Sequence, residues 1–199
     1  MDTIRIVRFL SVLTLAAMAN PAWASEVNIL LTGANGQPLA NTVVSVEMPG
    51  AAKPAVRGPY VMAQRNISFD PHILIVPVGA DVLFPNKDQV RHHVFSFSQP
   101  HKFELKLYGR DETKSVHFDK PGVVALGCNI HDSMSGYVFV TASPFTAITD
   151  SSGRVNIPNV PAGHGLLHIW NPALRAPANT ITRPIDINGR TFNLTVAAP

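Results

Sequence analysis

Hydrophobic and polar positions alternate with period two along most of the chain. Residues 27–32 form an apolar run closed by Gly33-Ala34-Asn35-Gly36, and residues 42–47 alternate with Val44 and Val46 on one side. Short apolar runs follow at 73–78 and 81–84. Over 94–98, Phe95 and Phe97 share a face. Over 102–107, Phe103, Leu105 and Leu107 alternate with charged residues and are expected to point inward. Residues 115–118, 123–126, 137–141, 155–157, 166–170, 185–187 and 192–196 complete the series. Segments of this kind, separated by short clusters of turn residues, predict an all-β sandwich or barrel. Beyond residue 24, no window of ten or more residues holds an apolar 3.6-residue period free of Pro and Gly, so no amphipathic helix is predicted.

The first 24 residues follow a different pattern. Arg5 and Arg8 precede an apolar run over 9–19, and Ala22-Trp23-Ala24 supplies a small-x-small cleavage signature. This reads as a secretory leader cut after Ala24, which implies a periplasmic protein. The run is too short to cross about 30 Å of hydrocarbon, and no later segment is long and apolar enough to do so.

Three segments follow the leader. Residues 64–142 are dense in strands and carry most of the metal-capable side chains. Residues 25–63 and 143–199 each hold few strands and too little apolar surface for a core of their own. The two flanks are therefore expected to pair with each other, with residues 64–142 inserted between them.

Composition narrows the function classes. Charged residues are 15% and hydrophobic residues 46%, which excludes a disordered chain. Lys and Arg are scattered and the formal net charge is only +3, so no nucleic-acid partner is implied. One cysteine, Cys128, rules out an intrachain disulfide. In an oxidising compartment a lone thiol calls for burial, a partner chain or a metal.

The surroundings of Cys128 favour the metal. Cys128-Asn129-Ile130-His131-Asp132-Ser133-Met134 places a thiol, an imidazole and a thioether on one loop between two strands. Thiolate and thioether favour Cu(I), and imidazole suits Cu(II). Two histidines and a cysteine with a weak axial methionine make a blue-copper set, so a further histidine is needed. His92 and His93 open the strand at 94–98. Neighbouring side chains point to opposite faces of a strand, so only one reaches the metal. His92, at the loop edge, is the expected ligand, with His93 the alternative. Singly, a buried cysteine, a structural histidine and a core methionine are the ordinary roles of these residues. Zinc would leave the thioether without a use. A cysteine nucleophile with His131 or His92, oriented by Asp132, would leave Met134 unexplained. Asn86 is expected to fix the ligand loop by hydrogen bonding. His72, His101 and His117 read as strand-end or surface residues, and His164 and His168 alone form an incomplete ligand set.

The segment 82–97, with Asn86-Lys87-Asp88-Gln89-Val90-Arg91-His92-His93-Val94, resembles the first-histidine region of plastocyanin-like cupredoxins. Residues 127–138 resemble their copper loop, with the C-x2-H-x2-M spacing of the amicyanin type. The resemblance implies a Greek-key β-sandwich of cupredoxin type holding one copper ion through His92, Cys128, His131 and Met134. The longer arrangement, with Arg110-Asp111-Glu112-Thr113 and the strand-rich tail, resembles exported bacterial proteins labelled methylamine utilization proteins. Residues 36–44 and 149–163 resemble two halves of a carboxypeptidase-regulatory-like β module, so the flanks should form a second small sandwich.

The function implied is that of a single-electron carrier between redox proteins, a cytochrome or a dehydrogenase, and not of an enzyme. Copper delivery or storage, and a copper enzyme with an open axial position, are the alternatives. Only five methionines occur, two of them in the leader, which argues against a Met-rich copper carrier.

Overall fold

The computed structural model describes residues 24–198. The expected leader lies outside the described residues except for Ala24, the first residue of β1. The architecture is all-β. In chain order the strands are β1 (Ala24–Thr32), β2 (Val43–Glu47), β3 (Tyr60–Val61), β4 (Ala63–Gln64), β5 (Phe69–Asp70), β6 (Ile73–Pro77), β7 (Ala80–Pro85), β8 (His92–Ser96), β9 (Phe103–Tyr108) and β10 (Thr113–Phe118). They continue with β11 (Gly122–Cys128), β12 (Ser135–Thr141), β13 (Phe145–Ile148), β14 (Arg154–Pro161), β15 (Gly163–Trp170), β16 (Thr180–Ile187) and β17 (Thr191–Ala197).

The strands build two sandwiches. In the first, the sheet β6-β12-β11-β8-β9 faces the sheet β10-β7-β3. The chain crosses between these sheets from β7 to β8, from β9 to β10 and from β10 to β11, as in Greek-key sandwiches. Val82, Phe84 and Phe118 from one sheet meet Val94, Val124, Leu126 and Val138 from the other in a single buried cluster. In the second, β14-β1-β17 faces β13-β2-β15-β16. Val27, Ile29 and Leu31 alternate inward on β1 and pack against Val44 and Val46 of β2 and Leu167 and Ile169 of β15. β1 pairs antiparallel with β14 and parallel with β17, so N- and C-terminal segments share one sheet.

Two details differ from the sequence pattern. Leu107 faces outward, at 44% exposure, and Tyr108 takes the buried place. Between the pairs His93–Leu107 and Phe95–Glu104, β9 carries one residue more than β8. Lys106, at φ 57°, absorbs that bulge, and the alternation inverts after it. In addition, β3, β4, β5 and β13 carry no alternating signal. β3 pairs with β7, and Met62 joins the core of the first sandwich.

The sandwiches meet through Val43 and Trp170 on one side and Ile73, Ile75, Val123, Tyr137 and Phe139 on the other. Trp170 lies edge-on to Tyr137 at 5.1 Å and tilted against Phe139 at 5.9 Å.

The turn into β14 shows how a polar sequence fixes the flank. Asp150 Oδ1 accepts from Ser152 N at 2.8 Å, Ser152 Oγ at 2.7 Å and Arg154 N at 2.9 Å. Gly153, at φ 74°, accepts the Leu31 amide on its carbonyl at 2.8 Å, and a Cβ there would sit 2.3 Å from the Leu31 oxygen. The Ser152 hydroxyl, then the Arg154 amide, hold the Asp150 carboxyl below its usual range. A carboxyl depressed on folding stabilises above its unfolded pKa, about 3.9, and that contribution fades as pH falls through the lower folded value. Asp150→Ala should therefore melt below the parent at pH 7. The gap should narrow in thermal scans as pH falls below the unfolded carboxyl value, about 3.9.

Candidate metal centre

β11 ends in Leu126-Gly127-Cys128, with Leu126 and Cys128 on the core face. Gly127 pairs with Phe95 and Cys128 with Val94, which brings the start of β8 beside the end of β11. Gly127 has to lack a side chain, because a Cβ would stand 2.8 Å from the Phe95 ring. The loop that follows is short and tied at both ends. Asn129 N donates to the His93 carbonyl at 3.0 Å, and Met134 N donates to the His131 carbonyl at 2.9 Å.

Alternation along β8 separates the two adjacent histidines. His92, Val94 and Ser96 are buried, and His93 and Phe95 lie on the other face. Cys128 Sγ is 3.7 Å from His92 Nδ1 and 3.6 Å from His131 Nδ1. The two rings are 5.0 Å apart between centroids. His92, Cys128 and His131 place their ligand atoms within 4.8 Å of one another, the one such group among the described residues. His93 turns away and pairs with Glu104, Nε2 to Oε1 at 2.6 Å. Met134 is buried in the same cluster as Cys128. His92 is fully buried and His131 half-buried, so His131 is the edge of the trio that meets solvent. Two imidazoles and a thiol without a carboxylate suit a borderline or soft transition ion and not Mg²⁺ or Ca²⁺.

Solved structures similar to part of this chain include a cupredoxin, amicyanin and a larger copper enzyme. A purple cupredoxin from Nitrosopumilus maritimus is 23% identical, with a TM-score of 0.39 over 42% of this chain and 100% of that one. An oxidised amicyanin mutant is 18% identical, with a TM-score of 0.40 over 49% of this chain and 98% of that one. A copper-containing nitrite reductase from Thermus scotoductus SA-01 is 26% identical, with a TM-score of 0.40 over 56% of this chain and 28% of that one. No protein-family model matches the chain, and neither does any curated protein.

The surroundings add residues that sequence reasoning passed over. Asp88 Oδ2 lies 2.8 Å from His92 Nε2. The same carboxylate accepts the backbone amides of Asn66 and Ile67. Burial pushes Asp88 up. The Ile67 amide, the His92 ring and the Asn66 amide together outweigh it and hold the carboxyl below its usual range. The available signal was Asp88 four positions ahead of His92, but it sits on an irregular loop. Asn86 fixes that loop. Its Nδ2 donates to the Val90 carbonyl at 2.8 Å, and its Oδ1 accepts from Asp88 N at 2.9 Å. Tyr108, opposite His92 in the ladder, donates its hydroxyl to Gln64. Burial first, then the neighbouring Cys128, raise its phenol pKa.

The remaining histidines are occupied elsewhere. His72 lies edge-on to Tyr137, His117 pairs with Asp81, and His101 lies edge-on to Phe118. His168 bonds Thr182 and Glu47, and His164 pairs with Asp186.

Proposed function

We propose that the chain is an exported, periplasmic type 1 copper protein that carries single electrons between redox proteins. The convergence of His92 Nδ1, His131 Nδ1 and Cys128 Sγ at the end of one sandwich carries this reading. Copper bound there would supply a one-electron couple. Cys128 provides the anionic sulfur, His92 and His131 the two imidazoles, and Met134 a weak axial thioether. This ligand set leaves no open position for a substrate, which favours a carrier over an enzyme. His92 is locked in the core, and half-buried His131 offers the short path to a redox partner, a cytochrome or a dehydrogenase. The flanks, residues 25–63 and 143–199, supply through β1, β2 and β13–β17 the β module into which the copper-binding sandwich is inserted, with residues 60–62 already packed on that sandwich. Their short turn motifs, and the sheet shared by β1, β14 and β17, support that arrangement.

The test is a visible spectrum of the Cu(II)-loaded protein, with voltammetry of two variants. A strong thiolate–copper band lost on reduction is expected. A colourless protein that prefers zinc at matched availability sinks the reading. Met134→Gln replaces a soft donor with a harder oxygen, so it should keep the band and lower the reduction potential. Met134→Leu has similar volume but no donor and should raise it. Unchanged potentials in both variants would remove Met134 from the ligand set and reopen the copper-enzyme alternative. Rapid loss of copper to a chelator would favour delivery or storage.

A further inference from the structure

The His92 ring is fully buried and both of its nitrogens face a partner. Nδ1 faces Cys128 Sγ at 3.7 Å, and Nε2 lies 2.8 Å from Asp88 Oδ2. An ionised carboxylate accepts only, so in the neutral ring the proton belongs on Nε2 and the lone pair on Nδ1. Asp88 is itself held. Its two oxygens accept the amides of Asn66 and Ile67, its own amide donates to Asn86, and its side chain is only 11% exposed.

The donors come from an unusual backbone. Asn66 and Ile67 are both left-handed, at φ 54° and 53°. A β-branched residue rarely adopts that region, and it persists only where its surroundings enforce it. Arg65 and Ser68 close the turn through reciprocal backbone bonds of 2.9 and 3.1 Å. Two successive left-handed residues thus aim adjacent amides at one carboxylate, the concave arrangement that binds anions. Met62 and Phe69 on either side of this turn are buried in the core that contains Cys128. The turn is therefore anchored to the sandwich and not a free loop.

We propose that Asp88, clamped by the turn at residues 65–68, is a positioning residue for His92. It selects the Nε2–H tautomer and orients the ring, so that the Nδ1 lone pair faces Cys128 before any metal arrives. The anionic acceptor also makes the imidazole a stronger donor, which favours the oxidised ion. The inference rests on the metal-centre reading for its purpose but not for its geometry. A carboxylate that only capped the 65–68 turn would stabilise the fold without affecting the tautomer or the potential.

The test uses ¹⁵N-labelled, metal-free full-length protein at pH 8. Two-bond proton–nitrogen correlation spectra report which nitrogen of His92 is protonated. The parent should show His92 protonated at Nε2. Asp88→Leu should give mixed tautomers and weaken Cu(II) binding about 10- to 100-fold in chelator competition. Asp88→Asn keeps an acceptor oxygen but not the charge, so it should preserve the tautomer and raise the reduction potential. It also keeps the test open if the leucine variant does not fold. A parent protonated at Nδ1 overturns the proposal. So does Asp88→Leu with the parent's tautomer and affinity and only a lower melting temperature, or Asp88→Asn with the parent's potential. If the parent shows no thiolate–copper band while the tautomer still follows residue 88, the copper reading fails and the positioning role stands.

Discussion

Cys128→Ala is expected to abolish the visible charge-transfer band and weaken copper binding by more than about 100-fold. That figure is the upper end of what losing an outer hydrogen-bond partner does, and here a ligand itself is lost. The fold should survive. Cys128 is 5% exposed, but removing one sulfur from a core that also contains Val94, Leu126 and Met134 should cost only about 1 kcal/mol. His92→Ala should remove the band as well, because it deletes one of the two imidazoles 3.6–3.7 Å from the sulfur. His93→Ala should keep the band, since His93 lies on the opposite face of β8 and pairs with Glu104. Absorption spectra and chelator competition on the three variants check this. A His93 variant that bleaches while the His92 variant stays coloured would exchange the two assignments. A coloured Cys128→Ala protein would end the thiolate reading altogether.

The same contrast shows which features a sequence can carry. C-x2-H-x2-M is legible because its residues lie within one loop, and strand alternation lets only one of His92 and His93 face it, with the loop edge favouring His92. β1 and β15 announce themselves by Val27, Ile29, Leu31 and by Leu167, Ile169 at every second position. Three features lacked such a signal. β3, β4 and β5 are two residues each, too short to show a period. Lys106 is a lysine in a left-handed conformation, so nothing in the residue type marks the bulge that turns Tyr108 inward. Asp88 receives amides from 21 and 22 residues upstream, and the turn that supplies them depends on tertiary packing. The strand core was legible because it is periodic, whereas the support of the site is aperiodic and long-range.

Trp170→Ala tests how far the two sandwiches depend on each other. Trp170 is 3% exposed and is the largest side chain in the small cluster that joins them. Truncating a buried tryptophan typically costs about 3–5 kcal/mol, part of it from edge-on and tilted aromatic pairs worth about 0.5–1.5 kcal/mol each. Here both Tyr137 and Phe139 lose such a partner. Trp170 lines a cleft of about 750 Å³ together with Ser45, Glu47, Val123 and His168. Removing the indole extends that cleft into the junction and admits water to Ile73 and Val43. The cores on either side are separate clusters, one around Val27, Val44 and Leu167, the other around Phe84, Val94 and Cys128. The parent should unfold in one denaturant transition. The variant should unfold in two, with the thiolate–copper band lost in only one of them and far-ultraviolet circular dichroism changing in both. Trp170→Phe, which keeps a ring against Tyr137, should return the protein toward one transition. A single transition for Trp170→Ala, displaced by less than about 1 kcal/mol, would mean that this junction contributes little and that the sandwiches are coupled elsewhere.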